Sequence, residues 1–206
     1  MVELALSNSI ADLLRRDTDV AVRMVETGQK ALVVKRIGVI RVGLHAHRRY
    51  LKQFGTPHSP DELADHALIG FDRETAMVRS MQQRIPAMRH SLFRLRTDSG
   101  MAQLAAIRAG YGVSAAQVAL AARDRNLVRI LAGSFALDLP TTIAMHEDLR
   151  ANRSGRTVFD ALVAGLQAYL RDSPQAPLRE VALLRNLQPP AVLSGEVQSS
   201  CSARPR

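Results

Sequence analysis

Two periodicities of apolar residues alternate along this 206-residue chain. Short segments rich in valine, isoleucine and leucine predict β-strands, whereas apolar residues three and four positions apart predict helices. Because the two kinds of segment follow one another along the chain, the sequence predicts an α/β fold. The predicted strands are residues 2–6, 19–23, 31–37, 39–44, 67–71, 92–96, 111–115, 127–131 and 141–146.

Residues suited to helix capping follow the first predicted strand. Ser7 and Asn8 can cap a helix that lies between the strands at 2–6 and 19–23. A strand, a helix and a second strand in so short a segment predict a βαβ unit, and such units build parallel sheets.

Two helices farther along the chain have clear limits. Residues 97–100 can open a helix that ends at Gly110. The longest predicted helix begins at Ser154 or Gly155 and carries one apolar face as far as Leu170.

Two segments lack the alternating pattern. Residues 72–89 are polar and rich in methionine, and their pattern predicts no particular element. The composition changes again beyond Asp172, because four of the nine prolines lie in residues 173–190. The sequence therefore predicts one domain at 1–172 and a disordered tail at 173–206.

The chain carries a formal net charge of +9, almost entirely from arginine. One interpretation is phosphate binding, and the other is a solvated basic surface. Basic residues are adjacent at 15–16, 35–36 and 48–49, but no run of five occurs. This scatter favours the solvated surface.

Several features bear on the compartment. No apolar stretch reaches the roughly 18 residues that span a bilayer, so we expect no membrane partner. The first residues reach acidic and polar positions too early for a signal peptide. Cys201 is the single cysteine and cannot form an internal disulfide, which favours a reducing compartment. The sequence predicts a cytoplasmic protein.

None of the local patterns that mark common catalytic sites is present. The sequence has no Gly-rich phosphate loop, no GxSxG elbow and no CxxC pair. Residues 146–150 begin like a zinc-protease helix, but Arg150 stands where the second histidine is needed. His45 and His47 would share one face of a strand, yet no third ligand is close in sequence. We therefore expect no metal, no cofactor and no enzymatic activity.

Three stretches in this order resemble the effector-binding domain of LysR-type transcriptional regulators. Each stretch alone is weakly specific, and their shared order and spacing carry the resemblance. Together with the helix at 149–169 they cover most of residues 1–172. The stretches are LLRRDTDVAVR at 13–23, VGLHAHRRYLKQFGTPHSPDELADHALIGF at 42–71 and FRLRTDSGMAQLAAIRAGYG at 93–112.

The resemblance implies a fold like that of a periplasmic binding protein, in which two α/β lobes are joined by crossover strands and hold a small ligand between them. Mapped onto this sequence, lobe I would comprise residues 1–41 and 141–172, and lobe II would comprise residues 42–140. The crossovers would lie at 39–44 and 140–145, where the apolar pattern already predicts strands.

Thr97, Asp98 and Ser99 lie at a predicted strand-to-helix turn, the usual mouth of an open α/β sheet. Hydroxyls, backbone amides and helix N-termini hold anions in such clefts. The resemblance therefore points to Thr97 and Ser99 as hydroxyl donors to a small anionic effector. The Asp98 carboxylate would repel an anion unless it turns away to cap the helix. Plain N-capping is the alternative role at this turn.

Five further residues are candidates for the effector site. Ser7 and Asn8 lie near positions where family members hold carboxylates, and helix capping is the favoured alternative. Arg23 could hold a carboxylate through two parallel hydrogen bonds, or it could form a surface salt bridge. His45 and His47 lie just past the first crossover, and contact with the effector is one interpretation of them.

The resemblance implies a regulator that reaches DNA only through a helix-turn-helix, which is absent from this chain. We therefore expect a domain truncated before Val2, with an incomplete first lobe and a small-molecule effector as its partner. A homodimer stays open, since the face through which the family dimerises is partly missing.

Three alternatives to a sensing domain are a non-functional remnant of a regulator, a stand-alone small-molecule-binding receptor and a small enzyme on the same lobes. The missing signal peptide argues against the receptor. The missing catalytic set argues against the enzyme.

Overall fold

The computed structural model describes residues 2–6, 18–24 and 32–171, and their mixture of strands and helices confirms the predicted α/β class. The strands are β1 Val20–Arg23, β2 Leu32–His47, β3 Leu68–Gly70, β4 Phe93–Arg96, β5 Val113–Gln117, β6 Leu127–Ile130 and β7 Leu137–His146. The α-helices are α1 Arg48–Phe54, α2 Ala76–Arg84, α3 Gly100–Arg108, α4 Val118–Ala121 and α5 Arg153–Arg171. Short 3-10 helices lie at Asp61–Asp65, Pro86–Met88, His90–Leu92 and Glu147–Ala151.

The seven strands form one sheet in the order β1-β7-β2-β5-β3-β4, and β6 pairs with β2 beyond the end of β7. Among the described pairings, β3 is parallel to β4 and to β5, and the others are antiparallel. β2 connects the two ends of the sheet, since it pairs first with β7 and then with β5 and β6. We call these ends the β1 end and the β4 end.

The two strands predicted at 31–37 and 39–44 are one continuous strand, β2. The register of β2 against β7 shifts between Arg36 and Gly38, and Gly38 has a φ of +151°. Residues that carry a side chain rarely adopt this backbone conformation. A Cβ at this position would also lie 2.7 Å from Leu170 Cδ1. Glycine therefore lets β2 pass this irregularity and continue to His47.

Each end of the sheet has its own hydrophobic cluster. At the β1 end, the apolar face of α5 packs on the sheet, and Phe159 contacts the cluster of Ile143 and Met145. Burying one such side chain contributes about 2 kcal/mol, so α5 is held by packing along its length. The cluster at the β4 end includes Leu44, Tyr50, Leu63, Leu68, Ile85 and Val113.

The prediction of a strand at residues 2–6 is wrong. These residues have no strand partner among the described residues, and Val2, Leu4 and Leu6 are 72%, 81% and 76% exposed. A strand needs a neighbour to pair its backbone groups, and β1 pairs only with β7 among the described residues, in the antiparallel sense. Residues 2–6 and β1 therefore do not form the parallel strand pair that the predicted βαβ unit requires. The helix expected after Asn8 and the tail at 173–206 lie outside the described residues.

Two elements differ from the sequence pattern because of their neighbours. α2 lies in the segment for which no element was predicted, where Thr75 Oγ1 caps it by accepting from the Val78 amide at 3.2 Å. Met81, on the same helix, is buried against the cluster at the β4 end. β7 begins at Leu137, earlier than the predicted 141, because it continues to pair with β2 as far as Val42.

Candidate functional site

The carboxyl ends of β3, β4 and β5 meet at one edge of the sheet, which we call the carboxyl edge. Thr97 directly follows β4, and its amide donates to the Gly70 carbonyl at 3.0 Å. Gln103 Nε2 on α3 donates to the Thr97 carbonyl at 2.8 Å. These two bonds fix the backbone of the turn that leads into α3.

Both hydroxyl candidates lie on this turn. Ser99 caps α3, because its Oγ accepts from the Ala102 amide at 3.2 Å. Thr97 Oγ1 accepts from the Ser99 amide at 3.2 Å. A hydroxyl that accepts one bond still carries its own hydrogen. Thr97 and Ser99 can therefore act as caps and as donors to a ligand together, so the two interpretations do not compete.

Asp98 turns away from the helix that follows it. Its Oδ1 accepts from the amides of Asp72 and Arg73, at 3.1 and 3.0 Å. Its Oδ2 lies 3.2 Å from the Arg73 Nε. Asp98 thus ties the turn to the segment after β3, and Ser99 takes the capping role. The charge of Asp98 is offset by Arg73, which weakens its repulsion of an anion.

An ion pair links β2 and β7 next to the carboxyl edge. Arg41 Nε donates to Asp138 Oδ1 at 2.7 Å, and Arg41 Nη2 donates to Oδ2 at 2.9 Å. The hydrogen bonds to Asp138 raise the pKa of Arg41. Val42, the next residue of β2, pairs with Gln117 at the end of β5. This pair therefore lies one residue beyond the carboxyl edge.

Arg23 ends β1 and lies 7% exposed. Its register partner is Thr142 of β7, which is also opposite Arg36 of β2. Thr142 lies four positions from Asp138, about 13 Å along a strand, and even spacing puts both on one face. Thr142 Oγ1 is buried and has no hydrogen-bond partner among the described residues. The β1 end thus presents an arginine and a free hydroxyl on the face that carries the Arg41–Asp138 pair.

His45 and His47 lie deeper in β2, away from the carboxyl edge. His45 is 2% exposed, and its Nδ1 lies 2.9 Å from the Gly43 carbonyl. His47 Nδ1 accepts from the Arg49 amide at 3.0 Å and caps α1. They are three and five residues beyond Val42, or about 10 and 17 Å. The structure does not bring them together with Thr97 and Ser99. Ser7 and Asn8 lie outside the described residues.

The burial of His45 makes stability depend on pH. Burial, with a smaller contribution from Arg129, lowers the pKa of His45 from 6.5 to about 4. Between pH 6.5 and about 4, His45 therefore binds a proton in the unfolded chain but stays neutral in the folded protein. The contribution of neutral His45 to the free energy of unfolding is fully present above pH 6.5 and is lost as the pH falls toward 4. At 1.36 kcal/mol per pH unit, the loss between pH 6.5 and 5 is about 2 kcal/mol.

Urea unfolding at pH 7 and pH 5 measures this loss in the wild type and in His45→Gln. We expect the variant to lose about 2 kcal/mol less than the wild type on acidification. His47→Gln removes the partly exposed neighbouring histidine and should retain the wild-type loss. An equal loss in wild type and His45→Gln would contradict the assignment to His45.

Sequence reasoning missed Arg41, Asp138 and Thr142. The signal was a charged residue inside an apolar strand, since Arg41 lies in VIRVG and Asp138 in ALDLP. Such a charge needs a partner on a neighbouring strand. The register that supplies this partner is not visible in the sequence.

The cavity that adjoins the carboxyl edge is a packing gap. It is lined mainly by apolar side chains and has room for about one water molecule. Its lining includes Gly70, Met81, Met88, Phe93, Gln103 and Ser114.

Within the described ranges no three histidine, cysteine or acidic side chains lie together as metal ligands would. None of the described helices has the length and apolar character needed to cross a bilayer.

Comparison with known proteins points to one family. The LysR substrate binding domain matches residues 2–167. The chain is similar to the regulatory domain of CrgA, a LysR-type transcriptional regulator from Neisseria meningitidis, with 24% identity and a TM-score of 0.67 over 78% of this chain and 81% of that one. It is also similar to the regulatory domain of AphB from Vibrio vulnificus, with 18% identity and a TM-score of 0.57 over 78% and 81% of the two chains.

Longer relatives include full-length AphB, a Vibrio cholerae virulence activator, with 19% identity and a TM-score of 0.57. The match covers 80% of this chain and 57% of that one. At these low sequence identities, the structural matches show a shared fold and nothing more. No match was found among curated proteins.

Proposed function

Because the chain belongs to the LysR substrate-binding domain family, we propose that it binds a small anionic effector in a cleft between two lobes. It is a LysR-type effector-binding domain, and domains of this family are not enzymes. The family assignment therefore agrees with the missing catalytic set.

In this proposal lobe I comprises residues 1–41 and 141–172, and lobe II comprises residues 42–140. β2 and β7 are the crossover strands. Their pairing from Leu32–His146 to Val42–Leu137 supports this division, as do the separate hydrophobic clusters at the two ends of the sheet. The proposed cleft lies over the crossovers, between the ends of β1 and β4.

The observation that carries the proposal is the set of donors beside the crossovers. The Thr97 and Ser99 hydroxyls donate to no group among the described residues, and the Arg41–Asp138 pair lies one residue beyond the carboxyl edge. Hydroxyl donors at a helix start suit an anion, since the helix dipole also favours negative charge. We therefore place the acidic group of the effector near Thr97 and Ser99.

The remaining candidates take different places in the proposal. Asp98 orients the turn through Arg73, while Arg23 approaches the effector from lobe I. Ser7 and Asn8 are proposed on the sequence resemblance alone. His45 and His47 serve the fold, because one is buried and the other caps α1.

Effector binding would change the angle between the lobes, since a ligand favours the state that it contacts best. In a complete regulator this change in lobe angle would alter the arrangement of the paired DNA-binding domains. We propose that the sensing takes place in the cytoplasm, through a homodimer, and that DNA contact is made only through a helix-turn-helix. The residues described here would supply the sensor.

A thermal-shift screen tests the proposal. The panel contains small mono- and dicarboxylic acids, and neutral sugars and amides of similar size serve as controls. We expect at least one acid to raise the unfolding temperature in a saturable way, because a ligand that binds the folded state stabilises it. Stabilisation only by neutral compounds would contradict an anionic effector, and no stabilisation by either group would contradict the sensing function.

Two substitutions at Ser99 test the contribution of charge. Aspartate and asparagine both cap helices well, so Ser99→Asp and Ser99→Asn should both keep α3 folded. Only Ser99→Asp adds a negative charge at the carboxyl edge. For an acid found in the screen, we expect calorimetry to give a Kd about tenfold or more weaker in Ser99→Asp and within about threefold of wild type in Ser99→Asn. If the two variants bound the acid with equal affinity, Ser99 would not be part of the effector site.

A further inference from the structure

A further arginine, from β6, lies on the sheet face that carries the Arg41–Asp138 pair. Arg129 of β6 is the register partner of His45 in β2. Residues two positions apart on a strand share a face, and so do directly opposed residues of antiparallel neighbours. Arg41, Gly43, His45 and Arg129 therefore lie on one face, which we call the arginine face.

The side chain of Arg129 leans along the arginine face toward the ion pair. A Cβ on Gly43 would lie 2.9 Å from the Arg129 Nε and 3.6 Å from its Cδ. Any larger residue at position 43 would therefore displace this side chain. Gly43 is two residues from Arg41, about 7 Å along the strand. The glycine thus brings the second guanidinium beside the first.

Within the residues that the structure describes, Arg129 forms no ion pair of its own. Its Nε is buried and has no hydrogen-bond partner among the described residues. Both oxygens of Asp138 accept from Arg41. His45 is neutral at physiological pH, because burial lowers its pKa to about 4. Arg41, Arg129 and Asp138 together thus carry one positive charge in excess.

Burial makes this excess charge costly. Loss of hydration, followed by repulsion from Arg41, lowers the pKa of Arg129, while Asp138 offsets part of the effect. An N–H of a guanidinium that has lost water without gaining an acceptor destabilises the charged form. A ligand that supplies an anionic acceptor would relieve both the missing hydrogen bond and the excess charge.

We propose that Arg129 binds a carboxylate group of the effector on the arginine face. The inference rests on the proposed function and deepens it by naming the chemical class of the ligand, a small organic acid, and the cation that holds it. One negative charge balances the excess, whereas a phosphate dianion would leave a negative charge next to Asp138. A carboxylate also matches the planar guanidinium with two parallel hydrogen bonds, as Asp138 already does with Arg41.

Acetate is the probe for this site, with chloride at equal ionic strength as the reference. NMR of the Arg Nε–H signals follows acetate binding to the full chain directly. We expect the Arg129 signal, assigned by its loss in Arg129→Gln, to shift in a saturable way with acetate and not with chloride. The acetate Kd from thermal shift should be about tenfold weaker in Arg129→Gln, because the bidentate partner is gone.

Two further variants make the test specific. Arg94→Gln removes an equal charge from an exposed position on β4, and its acetate Kd should stay at the wild-type value. Arg129→Lys keeps the charge but loses the planar pair of N–H donors. Its acetate Kd should therefore lie between those of wild type and Arg129→Gln. Circular dichroism establishes that each variant is folded. Equal weakening in Arg94→Gln and Arg129→Gln, or no acetate-specific shift of the Arg129 signal, would overturn the inference.

The carboxylic acids of the screen separate this inference from the proposed function. An acid that binds wild type and Arg129→Gln equally would overturn the role of Arg129 and leave the sensing function in place. Acetate binding at Arg129 without binding of any larger acid would uphold the anion site and contradict the sensing function.

Discussion

Replacing Gly112 by alanine is expected to destabilise the protein by more than about 4 kcal/mol, enough to unfold much of it. A Cβ at this position would overlap the carbonyl oxygen of Ala67, a backbone atom that cannot rotate away. That oxygen accepts from the Val113 amide at 2.9 Å, and Leu68 pairs with Val113 where β3 meets β5. The added methyl group would therefore separate two strands of the buried cluster at the β4 end.

Urea unfolding followed by circular dichroism measures this effect, and Gly165→Ala is the matched control. Gly165 lies in α5 with no atom within 4 Å of an added Cβ. Alanine there should stabilise the protein by about 0.5–1 kcal/mol, because it favours the helix. The two Gly→Ala changes should thus have opposite signs. A loss under about 1 kcal/mol in Gly112→Ala would contradict the packing described for β3 and β5.

Asp138→Asn is expected to cost about 2–3 kcal/mol of stability. The asparagine amide cannot offer two anionic oxygens to Arg41, so the bidentate pair across β2 and β7 is lost. The change also removes a carboxylate whose charge partly offsets that of Arg129, and the Nε of Arg129 already has no acceptor among the described residues. Arg41 and Asp138 are 25% and 17% exposed, so water compensates for part of the loss.

Two matched variants test this explanation by chemical unfolding. Asp160→Asn removes the partner of Arg156 on α5, in a pair that is 65% exposed on both sides, and should cost less than about 0.5 kcal/mol. The double variant Arg41→Met, Asp138→Leu should be more stable than Asp138→Asn, because no guanidinium then loses its partner at this position. If Asp138→Asn and Asp160→Asn had equal effects, the pair would contribute no more than a surface contact.

Local sequence signals were sufficient for elements that carry their own start and stop. The helix after Thr97 has Ser99 as its cap, and α5 has an apolar face that its packing on Ile143 and Met145 uses directly. The turn of Thr97, Asp98 and Ser99 was therefore placed correctly at a strand-to-helix junction. These features depend on residues within one or two turns of each other, and the sequence contains them all.

Properties that depend on distant partners could not be obtained in this way. The apolar residues at 2–6 resemble a strand, yet a strand exists only where a neighbour pairs with it. Capping of its own helix was the alternative role considered for Asp98, but Asp72 and Arg73 approach from another segment and contact both of its carboxylate oxygens. Arg41 and Asp138 are 97 residues apart and meet only through the register of β2 and β7. Hydrophobic and capping patterns act over a few residues, whereas the pairing of buried charges follows from strand register, which packing of the whole domain sets.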